Sequence, residues 1–147
     1  MMVLAFTLAA ALLQPPGAAR AAQPATTTPA MRTIDKGDHS NMDDAAQVVA
    51  KTQQEWQQLW QKHTPDRPRP AVDFSKEMVV GLFLGSRPTA GYILEIVSAV
   101  QDDGSLVVKY RESIPQRGSM TAQVLTSPYH VVAVPFFPGG VKFEKTP

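Results

Sequence analysis

Three imidazoles, His39, His63 and His130, are the only side chains of this 147-residue chain that normally titrate near neutrality. They lie far apart, and no pair has the i, i+4 spacing that places two ligands on one helix face, so the pattern implies no metal site. Hydrolytic chemistry needs a nucleophile beside a base, or two carboxylates across a cleft. Ser127, three residues before His130, is the one local pairing of that kind. Triad members normally converge from separate segments, and the chain has neither a Gly-x-Ser-x-Gly elbow nor a phosphate-cradling glycine loop. Asp43-Asp44 and Asp102-Asp103 sit in turn-like sequence and read as solvated. The absence of cysteine excludes thiol nucleophiles, thiolate metal sites, disulfides and lipid attachment through cysteine. The expectation is a protein without catalytic residues, metal or cofactor.

Binding is better represented. Gly85-Ser86-Arg87-Pro88-Thr89-Ala90-Gly91-Tyr92 lies between two apolar runs, Met78 to Leu84 and Ile93 to Val100. Glycines bracket a short loop that offers a cation, a hydroxyl and a methyl, stiffened by a proline that lowers the ordering cost of binding. The same residues also suit a plain turn, with Tyr92 packed inward. Thr126 to His130 forms a second loop candidate at the same end of the sheet. There Pro128 is a candidate for a cis bond at a tight corner, with Tyr129 packed over it. The expected partner-binding residues are Arg87, Pro88, Thr89, Ala90, Gly91, Tyr92, Pro128 and Tyr129.

The elements that would position these loops can be read from periodicity. Met31 to Lys36 and Ala45 to Ala50 suggest short strands. Thr52-Gln53-Gln54-Glu55 fits a capping box, and Trp56, Leu59, Trp60 and His63 then follow at i, i+3, i+4 and i+7 on one helix face. Pro65 ends that helix, and Thr64 to Pro70 reads as a stiff extended connector. Met78 to Leu84 is apolar throughout, as expected of a strand buried on both faces. Tyr92 to Ala99 and Leu106 to Arg111 form a hairpin about Asp103-Gly104, a favoured two-residue turn. Met120 to Leu125, Tyr129 to Val134 and Val141 to Glu144 complete about six strands after the helix. The implied fold is α+β but mainly β. It has one N-terminal amphipathic helix packed on an antiparallel sheet, curved into a small sandwich or partly open barrel.

Composition bounds the setting. Val3 to Leu13 is an uncharged apolar run too short to span a bilayer, and the small-x-small sequence Ala19-Arg20-Ala21 follows it. Residues 1–21 therefore read as a signal peptide, 22–33 as a Pro/Thr/Ala-rich tether, and 34–147 as a single domain. Export to the periplasm or the extracellular space is expected, with no membrane association once the signal is cleaved. The chain has 14 basic and 13 acidic side chains. Loss of Arg20 with the signal balances them, and the bases form no stripe, so nucleic acid is not an expected partner.

These residues resemble a known family, the PrcB C-terminal-like proteins. The resemblance rests on Glu55-Trp56 with Leu59-Trp60, on Val72-Asp73-Phe74, and on the run into Gly85 and Arg87-Pro88-Thr89-Ala90-Gly91-Tyr92. It continues with Val107-Val108, Pro115 and Gln123 to Val132. It implies an exported protein without catalytic activity that supports or stabilises a partner protease. The founding member is a lipoprotein, and this chain lacks the cysteine for that anchor. Arg87 to Tyr92 is also similar to the inhibitory loop of chagasin-like protease inhibitors, Asn-Pro-Thr-Thr-Gly-Tyr, with Arg87 and Ala90 departing from it. The sequence thus points to a non-catalytic exported protein-binding module. The alternative is a peptidase inhibitor acting through the same loop.

Overall fold

The structure, a computed structural model, describes residues 31–147. The expected signal peptide and most of the expected tether lie outside the described residues. Among the described residues there are seven strands and one helix: β1 (Arg32–Gly37), β2 (Ala46–Ala50), α1 (Gln53–His63), β3 (Glu77–Phe83), β4 (Ile93–Asp102), β5 (Ser105–Ser113), β6 (Tyr129–Pro135) and β7 (Gly140–Lys145). They form a four-stranded sheet of order β1-β6-β3-β2 and a three-stranded sheet of order β4-β5-β7.

The layering follows from the alternation of side chains along β3. Met78, Val80, Leu82 and Leu84 point one way, into a core shared with Leu94, Ile96 and Ala99 of β4, Leu106 and Val108 of β5, and Val132 and Val134 of β6. Val79 and Phe83 point the other way, against Trp56, Leu59 and Trp60 of α1. The run from Met78 to Leu84 is apolar throughout because it is the middle layer, as its sequence implies. Helix, larger sheet and smaller sheet stack as three layers, and the assembly is not a closed barrel.

The helix begins as its sequence dictates. Thr52 is extended and its hydroxyl accepts from the Glu55 amide. The Glu55 carboxylate reaches back to the Lys51 amide at 2.7 Å, one residue beyond the cap amide that a capping box would engage. The indole N–H of Trp56 donates to the Pro70 carbonyl and that of Trp60 to the Arg67 carbonyl, at 2.9 and 2.8 Å. The proline-rich connector is therefore pinned across the helix by the same side chains that fill the core, and each buried indole finds its partner. Asp103 and Gly104 both adopt positive φ, 48° and 77°, as the β4–β5 turn requires.

Four expectations are corrected. The helix is not the N-terminal element, since β1 and β2 precede it and pair into the larger sheet. The sheets are not wholly antiparallel, because β7 joins β5 in parallel. Met120 to Leu125 is no strand: the segment between β5 and β6 is irregular, and a single bridge, Arg87 to Thr126, is its strand-like pairing. Among the described residues no neighbouring strand lies alongside to accept a ladder there, and Met120, Val124 and Leu125 are exposed. Finally, the Ser127–Pro128 bond is trans.

Trp56 is fully buried. Trp56→Ala should cost about 3–5 kcal/mol in urea unfolding, through the lost area and the cavity left behind. A loss below about 1 kcal/mol would mean that the helix does not dock on the sheet in this way.

Candidate functional site

The loop between β3 and β4 is built from both ends. Gly85 has φ +77°, and a Cβ there would come within 2.7 Å of the Asp43 carbonyl, so only glycine lets the two backbones meet. The Ser86 amide then donates to that carbonyl at 2.9 Å. Arg87 and Thr126 exchange both backbone hydrogen bonds, at 2.7 and 2.9 Å, and the Ala90 amide donates to Ala122 at 3.0 Å. The buried Thr126 hydroxyl donates to the Thr89 carbonyl at 2.9 Å. Gly91, with φ +94°, brings the chain against Pro115 and Thr121.

The segment from Pro115 to Thr126 thus clamps the loop and fixes the shape of the bend. Pro88 and Gly91 are exposed, while Arg87, Thr89, Ala90 and Tyr92 are half-buried. The Thr89 hydroxyl is turned onto the Ala90 carbonyl at 3.0 Å. The Arg87 guanidinium donates to the Ser86 carbonyl and lies 5.7 Å from the centre of the Tyr92 ring. Pro128 and Tyr129 are buried, so both sit beneath the site as support rather than forming its surface. The reason is their place at the start of β6, inside the middle layer.

Beside the loop the two sheets splay into a cleft of about 540 Å³, lined by Ala45, Ala46, Gln47, Leu82, Leu84, Arg87, Leu94, Tyr110 and Glu112 among others. Its lining mixes apolar with polar side chains, and its charged groups are Arg87 and Glu112. Glu112 is paired with Lys145 at 3.0 Å.

Ser127 and His130 do not meet as a nucleophile and base. The Ser127 hydroxyl donates to the Met42 carbonyl. His130 is buried, and its Nδ1 accepts the Ile96 amide of β4 at 2.8 Å. That leaves the proton on Nε2, 2.9 Å from the Thr33 hydroxyl of β1. One imidazole therefore ties β6 to β1 and to the other sheet.

A second polar tie was hidden in the sequence. His63 does not cap the helix carbonyls with its side chain. It is 1% exposed, with Nε2 3.0 Å from Asp35 of β1 and Nδ1 2.8 Å from the Ser40 hydroxyl. A carboxylate only accepts, so Nε2 carries the proton and Nδ1 accepts from Ser40. Arg67 also pairs with Asp35, and its guanidinium lies 3.4 Å from the Tyr129 hydroxyl. The residue types are those of a serine hydrolase, but the surrounding amides are already engaged. Asn41 donates to the His63 carbonyl, Met42 to the Ser40 hydroxyl, Ser127 to Asp38 and Ser86 to Asp43. None of these is left to stabilise an oxyanion, and the cluster acts as a clamp joining helix, β1 and the Ser40 loop. The spacing of Asp35, Ser40 and His63 follows no local period, so the sequence carried no signal for it. Among the described residues no group of acidic, histidine or cysteine side chains could hold a metal ion.

Both buried imidazoles resist protonation. Burial lowers the pKa of His63 despite the opposing pull of Asp35. Burial, with help from Lys36, lowers that of His130 to about 4. Burial alone would raise Asp35, but the hydrogen bonds from Arg67, His63 and Tyr129 outweigh it and hold the carboxyl below its usual value.

The sign of the pH dependence follows. Below about pH 6.5 the unfolded chain takes up protons that the folded chain refuses, so stability falls as pH falls. The His130 contribution is lost between the ordinary value of 6.5 and about 4, which amounts to roughly 3 kcal/mol. Asp35 adds its loss only below the ordinary value of 3.8. Urea midpoints should therefore drop steadily from about pH 7 to about pH 4, and His130→Asn should flatten that slope. Midpoints that stay constant over this range would contradict the assignment of buried neutral imidazoles.

Residues 78–135 match the family model described as PrcB C-terminal. The match takes in both middle-layer strands, the Arg87–Tyr92 loop and the segment that clamps it. The helix motifs at Glu55 to Trp60 and Val72 to Phe74 lie outside the matched residues. No curated protein and no solved structure matches the chain. From Met78 in β3 to the end of β6, the chain is similar to the PrcB C-terminal family.

Proposed function

We propose that this chain is an exported, non-catalytic protein-binding module that supports or stabilises a partner protease outside the cytoplasm. Its contact surface is the end of the sandwich that carries Arg87 to Tyr92. The match to PrcB C-terminal supports the association with a protease complex. The observation that carries the reading is the clamping of the loop by Asp43, Ala122 and Thr126, with Pro88 left exposed at its tip. A bend fixed in advance does not have to be ordered on contact, so more of its interaction energy appears as affinity. Arg87 supplies a cation, and Ile114, Val124 and Leu125 supply exposed apolar surface in the clamping segment and its approach. Among the described residues no helix is long and apolar enough to cross a membrane.

The test is capture of partners from the native envelope fraction with wild-type protein and with Thr89→Arg. A large charged side chain at a half-buried loop position should reduce recovery of the specific partner by about tenfold, a change of about 1.4 kcal/mol. The urea midpoint of Thr89→Arg should stay close to that of wild type. Equal recovery by both proteins would overturn the loop reading. Dose-dependent loss of papain-like peptidase activity, reversed by replacing Pro88 and Thr89, would instead identify an inhibitor.

A further inference from the structure

Strand β2 forms an edge of the larger sheet. On one side it pairs with β3, from Ala46 opposite Phe83 to Ala50 opposite Val79. Among the described residues no other backbone hydrogen bond engages these five. In an antiparallel edge strand, alternate residues turn their N–H and C=O groups away from the sheet, and each such group is a place for a bond to another chain.

Hollows flank this edge on both faces. Gln47 and Val49 face the smaller sheet, on the side of the cleft at the sandwich mouth. Ala46 and Val48 face the helix, where a hollow of about 200 Å³ is lined by Met42, Val48, Leu59 and Lys62 among others. Side chains of an added strand alternate between faces, so successive residues would enter one hollow and then the other. At the far end, the Lys51 ammonium donates to the carbonyls of Pro138 and Gly139, which bounds the stretch of edge available.

Charge selects the occupant. Arg87 lines the cleft beside the first residues of β2. The ion pairs among the described residues leave it out, while Glu112 in the same cleft is neutralised by Lys145. The cleft therefore holds one cation without a carboxylate partner, beside the apolar side chains of Leu82, Leu84 and Leu94, which suits a carboxylate carried on an apolar residue.

We propose that β2 receives the free carboxyl terminus of an extended peptide by strand addition. The peptide runs antiparallel to β2, and its terminal carboxylate lies on Arg87 at the cleft. This rests on the reading that the chain binds protein, and it names the chemistry of the segment bound. The backbone supplies affinity along β2, the two hollows select alternate side chains, and Arg87 fixes the register.

The probe is a bead-bound library of hexapeptides randomised among apolar residues and threonine, displayed with free carboxyl termini and, in parallel, as carboxyl-terminal amides. Peptides selected as acids should bind about tenfold more tightly than their amides. Arg87→Gln should abolish that difference without abolishing binding. Hydrogen exchange should slow at the outward-facing, alternate amides of β2 when peptide is bound. No retention by the whole library, equal binding of acid and amide, or unchanged exchange in β2 would each overturn the proposal. If the library fails while partner capture still depends on Thr89, the loop reading stands and strand addition falls.

Discussion

Two adjacent strands buried on both faces govern this molecule. β3 and β6 pair in register from Glu77 opposite Pro135 to Phe83 opposite Tyr129. One face of the pair meets the smaller sheet and the other meets the tryptophan stripe of the helix. Fully burying a side chain of this kind contributes about 1.5–3 kcal/mol. β1 and β2 pair along the outer edges of this pair, while the helix and the smaller sheet cover its two faces. Both strands also open directly into the site: β3 runs into Gly85, and β6 begins just after Thr126 and Pro128. The loop is therefore anchored directly to the doubly buried pair.

Polar ties complete the job that apolar packing leaves unfinished. Apolar burial is non-directional and fixes layers better than it fixes the register between them. His130 joins β6, β1 and β4 through two hydrogen bonds, and His63 joins helix, β1 and the Ser40 loop through two more. Among the described residues no buried side-chain polar atom lacks a partner. A fully satisfied network of this kind rigidifies rather than weakens the core. The same groups make the fold sensitive to acid, because each imidazole is held neutral by its surroundings.

How much was legible depended on whether the signal was local. The helix, its cap and its tryptophan stripe were readable from Thr52 to His63 because a helix repeats within a few residues. The Asp103-Gly104 hairpin and the doubly buried Met78–Leu84 run were readable for the same reason. Met120 to Leu125 misled because its alternation resembles a strand, whereas a strand also needs a neighbour to pair with, and the chain supplies none there. The parallel placement of β7 beside β5 is a choice between distant segments that no local pattern encodes. The position of the Arg87–Tyr92 bend could be seen in its glycines and proline. Its clamping by Ala122 and Thr126 could not, since those contacts cross more than thirty residues. Pro128 and Tyr129 were read as partner contacts because they lie in a second loop at the same end of the sheet as the bend, yet both are buried at the start of β6.

The central claim is that the scaffold holds the bend in one fixed shape. Native-state hydrogen exchange at the amides of Arg87, Ala90 and Thr126 tests this most directly. Each donates a backbone bond across the clamp, to Thr126, Ala122 and Arg87 respectively. In the free protein, the account predicts that all three are protected nearly as strongly as the amides of β3, opening only with the fold as a whole. Exchange at the rate of an unstructured loop, while β3 remains protected, would contradict it.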